Sequence, residues 1–318
     1  MKLSLVIPCY NEQDNVQPML CAVQTAFAAL PAEISSYELV FVNDGSKDET
    51  AARLRELHAR HPNYVSVVEF SRNFGKEAAV LAGLSRARGD FISIIDADLQ
   101  QRPEIVVEMV NFLLQNEDYD VVAAYQDKRI EGRTLSFMKK MFYKIINKAC
   151  EIEFTSGASD FRTFRRMVAD AILKMPEYFR FSKGIFSWVG FPTHYMPYVP
   201  NERLTGKTKW SFFKLFKYAM EGIVSFSTFP LKISTWLGLL ISVGSAVYML
   251  ITILQRLCFG VDVPGYATIV VLILFLGGIQ LLILGILGEY LAKTYIQGKN
   301  RPVYIERSYL KAEDADDE

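Results

Sequence analysis

Short apolar runs alternate with amphipathic stretches along the first part of the chain. Leu3–Pro8, Glu38–Val42, Val65–Phe70, Phe91–Ile95 and Asp120–Ala124 are rich in β-branched and aromatic residues and end in polar clusters, which predicts strands. Between them Val16, Met19, Leu20, Val23 and Phe27 recur at helical spacing, an alanine-rich stretch runs to Ala87, and Pro103-Glu104 has the form of a helix start. Ser46 and Glu49 have the spacing of a capping box for the helix after the second strand. Strands alternating with helices predict an α/β domain with a largely parallel, doubly wound sheet. Three of the strands end in polar side chains, at Tyr10–Glu12, at Asn43-Asp44 and at Asp96-Ala97-Asp98. In such a sheet these ends converge on one crevice, where ligands bind.

The pattern changes after Lys232. No charged residue occurs from Ile233 to Leu254 or from Val263 to Gly288, and each run exceeds the roughly 20 residues that span a bilayer core. Two transmembrane helices are expected, dividing the chain into an α/β domain over 1–230, a two-helix anchor over 231–290 and a cytoplasmic acidic tail over 291–318. Lys232, Lys293, Lys299 and Arg301 flank the pair, which places both long ends in the cytoplasm. Met1-Lys2 leads directly into a strand pattern, so no signal peptide is expected. Gly238, Ser242 and Ala246, with Gly277, Gly278 and Gly285, give the spans small-residue faces suited to close packing and self-association.

The formal net charge is zero, yet basic residues crowd 128–148 and 203–217. Both clusters are interleaved with apolar residues, so amphipathic helices lying on a lipid surface are expected near 134–151 and 210–229, and nucleic acid is not the expected partner. Cys9, Cys21, Cys150 and Cys258 form no Cys-x-x-Cys pair and suit reduced thiols in a cytosolic domain. His58, His61 and His194 are expected to be surface or packing residues. Gly206-Lys207-Thr208 imitates the end of a phosphate-binding loop, but Asn201 stands where that loop needs glycine and no strand precedes it.

Asp96, Asp98 and Gln100 form an all-oxygen set at a strand's carboxyl end, suited to a hard cation such as Mg²⁺ or Mn²⁺ whose shell phosphates would complete. By themselves the two acids are equally a polar strand end leading into the next helix.

Ile7-Pro8-Cys9-Tyr10-Asn11-Glu12, Val42-Asn43-Asp44-Gly45-Ser46 and Asp96-Ala97-Asp98-Leu99-Gln100, in that order, resemble the nucleotide-sugar half of glycosyltransferase family 2, with its GT-A fold. Ser71-Arg72-Asn73-Phe74-Gly75-Lys76-Glu77 and the two terminal spans narrow the resemblance to membrane-anchored polyprenyl-phosphate glycosyltransferases. The bactoprenol glucosyltransferases are the nearer likeness, dolichol-phosphate mannose synthases the more distant one. The resemblance implies that Pro8, Tyr10, Glu12, Asn43 and Asp44, with Asp96, Ala97 and Asp98, bind the nucleotide sugar. It implies that Asp96, Asp98 and Gln100 hold Mg²⁺ or Mn²⁺, and that Asp160 and Arg203 serve catalysis. Gln126 stands where the mannose synthases carry an acceptor-binding arginine, leaving Arg129, Arg133, Lys140 and Lys209 as candidates for the acceptor phosphate. Gly184, Trp188, Gly190 and Phe191 resemble the acceptor-side wall, and the Gln-x-x-Arg-Trp of polymer-forming synthases is missing.

The implied activity is inverting transfer of one sugar, glucose from UDP-glucose, to undecaprenyl phosphate at the cell membrane. The implied assembly is a homo-oligomer, a tetramer in the family. Mannose or a modified arabinose as the sugar, or an inert nucleotide-sugar-binding scaffold, are the alternatives. A phosphate monoester has a second pKa of about 6, so the acceptor is already mostly dianionic near neutrality. Asp160 is therefore expected to position groups and not to remove a proton.

Overall fold

The computed structural model describes residues 1–126, 158–175, 177–200, 227–259 and 265–313. The first compact unit follows the predicted alternation: β1 (Lys2–Cys9), α1 (Val16–Phe27), β2 (Ser36–Asn43), α2 (Thr50–Arg60), β3 (Val65–Phe70), α3 (Lys76–Arg86), β4 (Phe91–Ile94), α4 (Pro103–Gln115) and β5 (Val121–Gln126). Then come β6 (Ala158–Arg165), α5 (Arg166–Leu173), α6 (Ser182–Trp188) and β7 (Thr193–Tyr198). The chain returns to the same sheet much later as β8 (Glu306–Leu310).

Among the described residues the sheet has the order β7-β5-β6-β4-β1-β2-β3-β8. β1 pairs in parallel with both β2 and β4, so the direction of winding reverses between β1 and β4. That reversal opens the crevice at the strands' carboxyl ends. β6 is antiparallel to β4, with Phe91 opposite Arg165 and Ile94 opposite Arg162. Continuing that register by two places sets Asp160 across from Asp96.

The alternation along β1 shows how the faces are filled. Leu3, Leu5, Ile7 and Cys9 point into the main core with apolar residues of α1, α2 and α4, while Val6 points to the opposite face and meets α3. There the helix comes so close that a Cβ on Gly83 would lie 2.1 Å from Val6 Cγ1. The histidines pack: His194 stacks on Phe112 with centroids 4.1 Å apart, and His58 Nδ1 lies 2.7 Å from the Val65 carbonyl.

The second unit contains two long helices, α7 (Phe229–Phe259) and α8 (Tyr266–Gly298). At 31 and 33 residues they are about 46 and 50 Å long, more than the roughly 30 Å of a bilayer core. Their apolar side chains are exposed, Trp236 by 71% and Leu281 by 72%, as a lipid-facing surface requires. A Cβ on Gly238, Gly277, Gly278 or Gly285 would meet nothing within 4 Å, so these faces are open in the single chain.

One expectation is corrected. Residues 291–318 do not begin a tail: α8 continues to Gly298, and β8 pairs antiparallel with β3. The docking is specific, with the Arg86 guanidinium donating to both Glu306 carboxylate oxygens, Tyr304 stacked on Phe70 at 4.9 Å and the Ala312 N–H bonded to Ser66 Oγ. β3 would otherwise present an unpaired edge, which explains why a mostly polar segment becomes a strand. The interfacial helix expected near 134–151 lies outside the described residues, as does nearly all of the one expected over 210–229.

Candidate active site

β1 ends at Cys9, and the next residues are held by the loop after β2. The Asn11 N–H donates to Ser46 Oγ and the Glu12 N–H to Thr50 Oγ1, while Asn11, at φ 55, accepts from the Lys47 N–H. Ser46 is thus used by the neighbouring loop and is not the cap of α2. The N-cap of α2 is Glu49, with no side-chain cap hydrogen bond, and Asp48 just before it accepts from the Thr50 N–H and hydroxyl. Tyr10 is left 41% exposed, its ring available to a ligand.

At the end of β2, Asn43 and Asp44 are buried and act through the backbone. Asn43 Oδ1 accepts from the Ser46 N–H and closes the turn. The Asp44 carboxylate accepts from the Phe74 N–H at 2.6 Å and the Gly75 N–H at 2.9 Å, which fixes the loop after β3 beside the crevice. Gly45 is required where these loops meet, because it has φ +60 and a Cβ there would lie 2.3 Å from the Arg72 carbonyl carbon. Each carboxylate oxygen of Asp44 has a second lone pair, so the side chain keeps capacity for a ligand.

The loop fixed by Asp44 delivers Lys76 at the start of α3. Its ammonium lies 2.5 Å from Asp96 Oδ1 and 3.4 Å from Asp160 Oδ2, bridging the pair that the β4/β6 register brings opposite each other. Burial works against the ammonium, but Asp96 and Asp160 outweigh burial and hold it protonated well above the ordinary lysine range. Asp160 shows the complementary effect: burial alone would raise its pKa, and Lys76, Lys183 and Arg162 together hold it below the ordinary carboxylate range. Asp160 Oδ1 is buried with no hydrogen-bond partner among the described residues. Next to Lys76, Glu77 accepts from the backbone N–H and the hydroxyl of Ser182 at the start of α6. The two neighbours thereby connect the acids of β4 and β6 to α6.

These elements enclose a cavity of about 290 Å³, lined by Pro8, Cys9, Tyr10, Glu12, Asp44, Asn73, Gly75, Lys76, Ala79, Asp96, Ala97 and Asp98. Of the nucleotide-sugar residues expected from sequence, seven line it: Pro8, Tyr10, Glu12, Asp44, Asp96, Ala97 and Asp98. Asn43 does not, and shapes the turn below. Gln100 does not line it either; its N–H bonds to Asp98 Oδ1, while the amide beside Asp96 is that of Gln101, whose Oε1 accepts the Asp96 N–H. Cys9 is no nucleophile, since burial pushes its thiol far above the ordinary range, with Glu12, Asp96 and Asp48 adding to the effect. Arg129, Arg133, Lys140, Arg203 and Lys209 lie outside the described residues.

The donor set at the cavity suits a hard divalent cation. Asp96 and Asp98 supply carboxylate oxygens, and no group of three His, Cys, Asp or Glu side chains able to hold an ion occurs among the described residues. A cation bound there would share its shell with a ligand's oxygens, as diphosphate provides.

The glycosyl transferase family 2 profile matches residues 4–173, and a profile described as the GtrB C-terminal hairpin matches residues 229–294. An uncharacterized glycosyltransferase of Synechocystis is 43% identical over 96% of this chain and 94% of its own length. A prophage bactoprenol glucosyl transferase homolog of Escherichia coli K12 is 42% identical over 96% of this chain and 98% of its own length. A crystal structure of glucosyl-3-phosphoglycerate synthase from Mycobacterium tuberculosis with Mn²⁺, UDP-glucose and phosphoglyceric acid aligns with TM-score 0.45 and 17% identity, over 70% of this chain and 77% of that one. By the match over its first half, by near full-length relatives and by its terminal hairpin, the chain belongs to glycosyltransferase family 2.

Proposed function

We propose that the chain transfers one glucose from UDP-glucose to a polyprenyl phosphate, undecaprenyl phosphate in the first instance, with inversion and with Mg²⁺ or Mn²⁺. The observation that carries the proposal is the meeting of Asp96, Asp98, Asp160 and Lys76 beside one nucleotide-sized cavity, in a chain that also bears a hairpin of two apolar helices. Relatives named bactoprenol glucosyl transferases match 96% of the chain, cavity and hairpin together.

Pro8, Tyr10, Glu12 and Asp44 hold the nucleoside, with the Tyr10 ring as a stacking surface. Asp96 and Asp98 would hold the cation, which would supply neutralisation of charge on the departing diphosphate. An oxygen of the lipid phosphate forms the new bond to the anomeric carbon from the face opposite the leaving group. The bond from that carbon to the diphosphate oxygen breaks, and UDP leaves with the electron pair. No proton moves when the acceptor is a dianion. A carboxylate held below its ordinary range by Lys76 is a weak base, which supports a positioning role for Asp160. Arg203 is assigned to the departing diphosphate, and Arg129, Arg133, Lys140 and Lys209 to the acceptor phosphate, by resemblance.

Both ends of the α7–α8 hairpin are assigned to the cytoplasmic side, a reading supported by the flanking basic residues and by the pairing of β8 with β3. The open glycine faces suit self-association of the hairpins, consistent with an oligomer.

The test is a mass spectrum of lipids extracted from membranes containing the protein, after incubation with a panel of nucleotide sugars. The proposal predicts a polyprenyl phosphate heavier by one hexose with UDP-glucose. Product from another donor would replace glucose, and product from none would leave the nucleotide-sugar-binding scaffold.

A further inference from the structure

The Asp160 carboxylate has one direct anchor among the described residues: Oδ2 lies 3.4 Å from the Lys76 ammonium, and Oδ1 is buried without a hydrogen-bond partner. Its place therefore depends on what packs against β6. Asp160, Arg162 and Phe164 alternate onto one face of that strand. The helix α6 covers this face, with the Arg162 guanidinium 4.0 Å from the centroid of the Phe186 ring and Phe164 meeting the same ring at 5.1 Å. The helix is in turn fixed at its first residue. Ser182 is buried, and Glu77 Oε2 accepts both its backbone N–H, at 2.9 Å, and its hydroxyl. Two charge-assisted bonds to one residue fix the start of α6 in direction as well as in place. The next residue, Lys183, belongs to the same group of charges: burial lowers its pKa, and Asp160 is the largest opposing influence. Glu77 is displaced the other way, since burial raises its carboxyl and Asp160 adds to the rise, with the Ser182 bonds and Lys76 opposing both. An apolar side chain could join α3 to α6 at less cost, because burying a charge is expensive even when it is paired.

We infer that Glu77 is a positioning residue for the transfer reaction: by fixing Ser182 it holds α6, with Lys183 and Phe186, against the face of β6 that presents Asp160. The inference rests on the reaction proposed above and concerns the place of one of its carboxylates. Two consecutive residues of α3 then act on one acid, Lys76 by direct contact and Glu77 through α6. Lys76 does not depend on the Ser182 contact, because the Asp44 carboxylate fixes the Phe74 and Gly75 N–H groups just before it. Loss of the Glu77 carboxylate therefore disturbs the chemical step and spares the donor.

The test is a kinetic double-mutant cycle on the full chain in detergent, with UDP-glucose, undecaprenyl phosphate and Mn²⁺ at saturation, alongside calorimetric titration of UDP with Mn²⁺. Glu77→Ala is expected to lower kcat about tenfold and to leave UDP affinity within about twofold. Glu77→Gln keeps an oxygen for Ser182 and is expected to recover most of the loss. Ser182→Ala removes only the hydroxyl and is expected to lower kcat about threefold with UDP binding unchanged, which keeps the test open if Glu77→Ala does not fold. In an Asp160→Asn background, where the side chain no longer answers to the charge of Lys183, Glu77→Ala is expected to lower kcat by less than about threefold. Wild-type kcat in Glu77→Ala, or losses from Glu77→Ala and Asp160→Asn that multiply in full, would overturn the inference and leave the transfer reaction standing. A fall in UDP affinity that accounts for the whole effect would make Glu77 part of the donor site and also overturn it. Absence of transfer by the wild type would count against the reaction itself, and against the inference with it.

Discussion

Lys76 is the residue on which the site's electrostatics turn. Without its ammonium, Asp96 and Asp160 face each other with burial acting against both charges. Lys76→Met is expected to lower kcat/KM for UDP-glucose by roughly 10²-fold, and Lys76→Arg by less, because the arginine keeps the charge. Equal rates for wild type and Lys76→Met would remove the lysine from the mechanism. Asp98→Ala is expected to abolish transfer and the Mn²⁺-dependent part of UDP binding; titration showing Mn²⁺-dependent binding unchanged would refute the metal assignment. The pH dependence follows from the sign of the Asp160 shift. A carboxylate lowered in the folded protein contributes stability above its unfolded pKa of about 3.9, and that contribution is lost as pH falls through the folded value. Asp160 therefore does not titrate near pH 6, where the acceptor phosphate does. Asp160→Asn should keep measurable activity and the same acid limb as wild type in a pH–rate series. The acids were legible in the sequence because they end an apolar run. Lys76 was visible only as part of a motif, since a lysine after glycine at a helix start has no assigned partner until the antiparallel β6 sets Asp160 opposite Asp96.

Among the elements, β8 stands in for everything that depends on long-range pairing. Arg86 and Glu306, Phe70 and Tyr304, and the β3 edge itself link the C-terminal segment to the catalytic sheet. Ending the chain after Gly298 should expose that edge and lower the thermal midpoint of the detergent-purified protein by at least about 5 °C. An unchanged midpoint would show that β8 is dispensable to the sheet. The strands β1 to β5 and helices α1, α3 and α4 were readable because their own residues alternate or recur, and the spans because composition alone marks them. Glu306–Leu310 has no such pattern; its conformation is imposed by the neighbour it pairs with. The capping box expected at Ser46 and Glu49 failed for a similar reason, since Asn11 on another loop occupies the serine hydroxyl.

For the whole molecule, the proposed two-span topology puts an even number of membrane crossings between β3 and β8, as their pairing in one sheet demands of any such topology. Protease tags placed at Met1 and at the C-terminus should be cleaved from the same face of oriented vesicles, the cytoplasmic one, and cleavage from opposite faces would refute the two-span topology. The central claim is a single inverting displacement by a lipid phosphate, and NMR of the product tests it most directly. The full chain in nanodiscs is incubated with UDP-glucose, undecaprenyl phosphate and Mn²⁺. The predicted result is one β-linked glucosyl phosphodiester for each UDP released. An α-linked product, or UDP released with free glucose and no glucosyl lipid, would contradict the account.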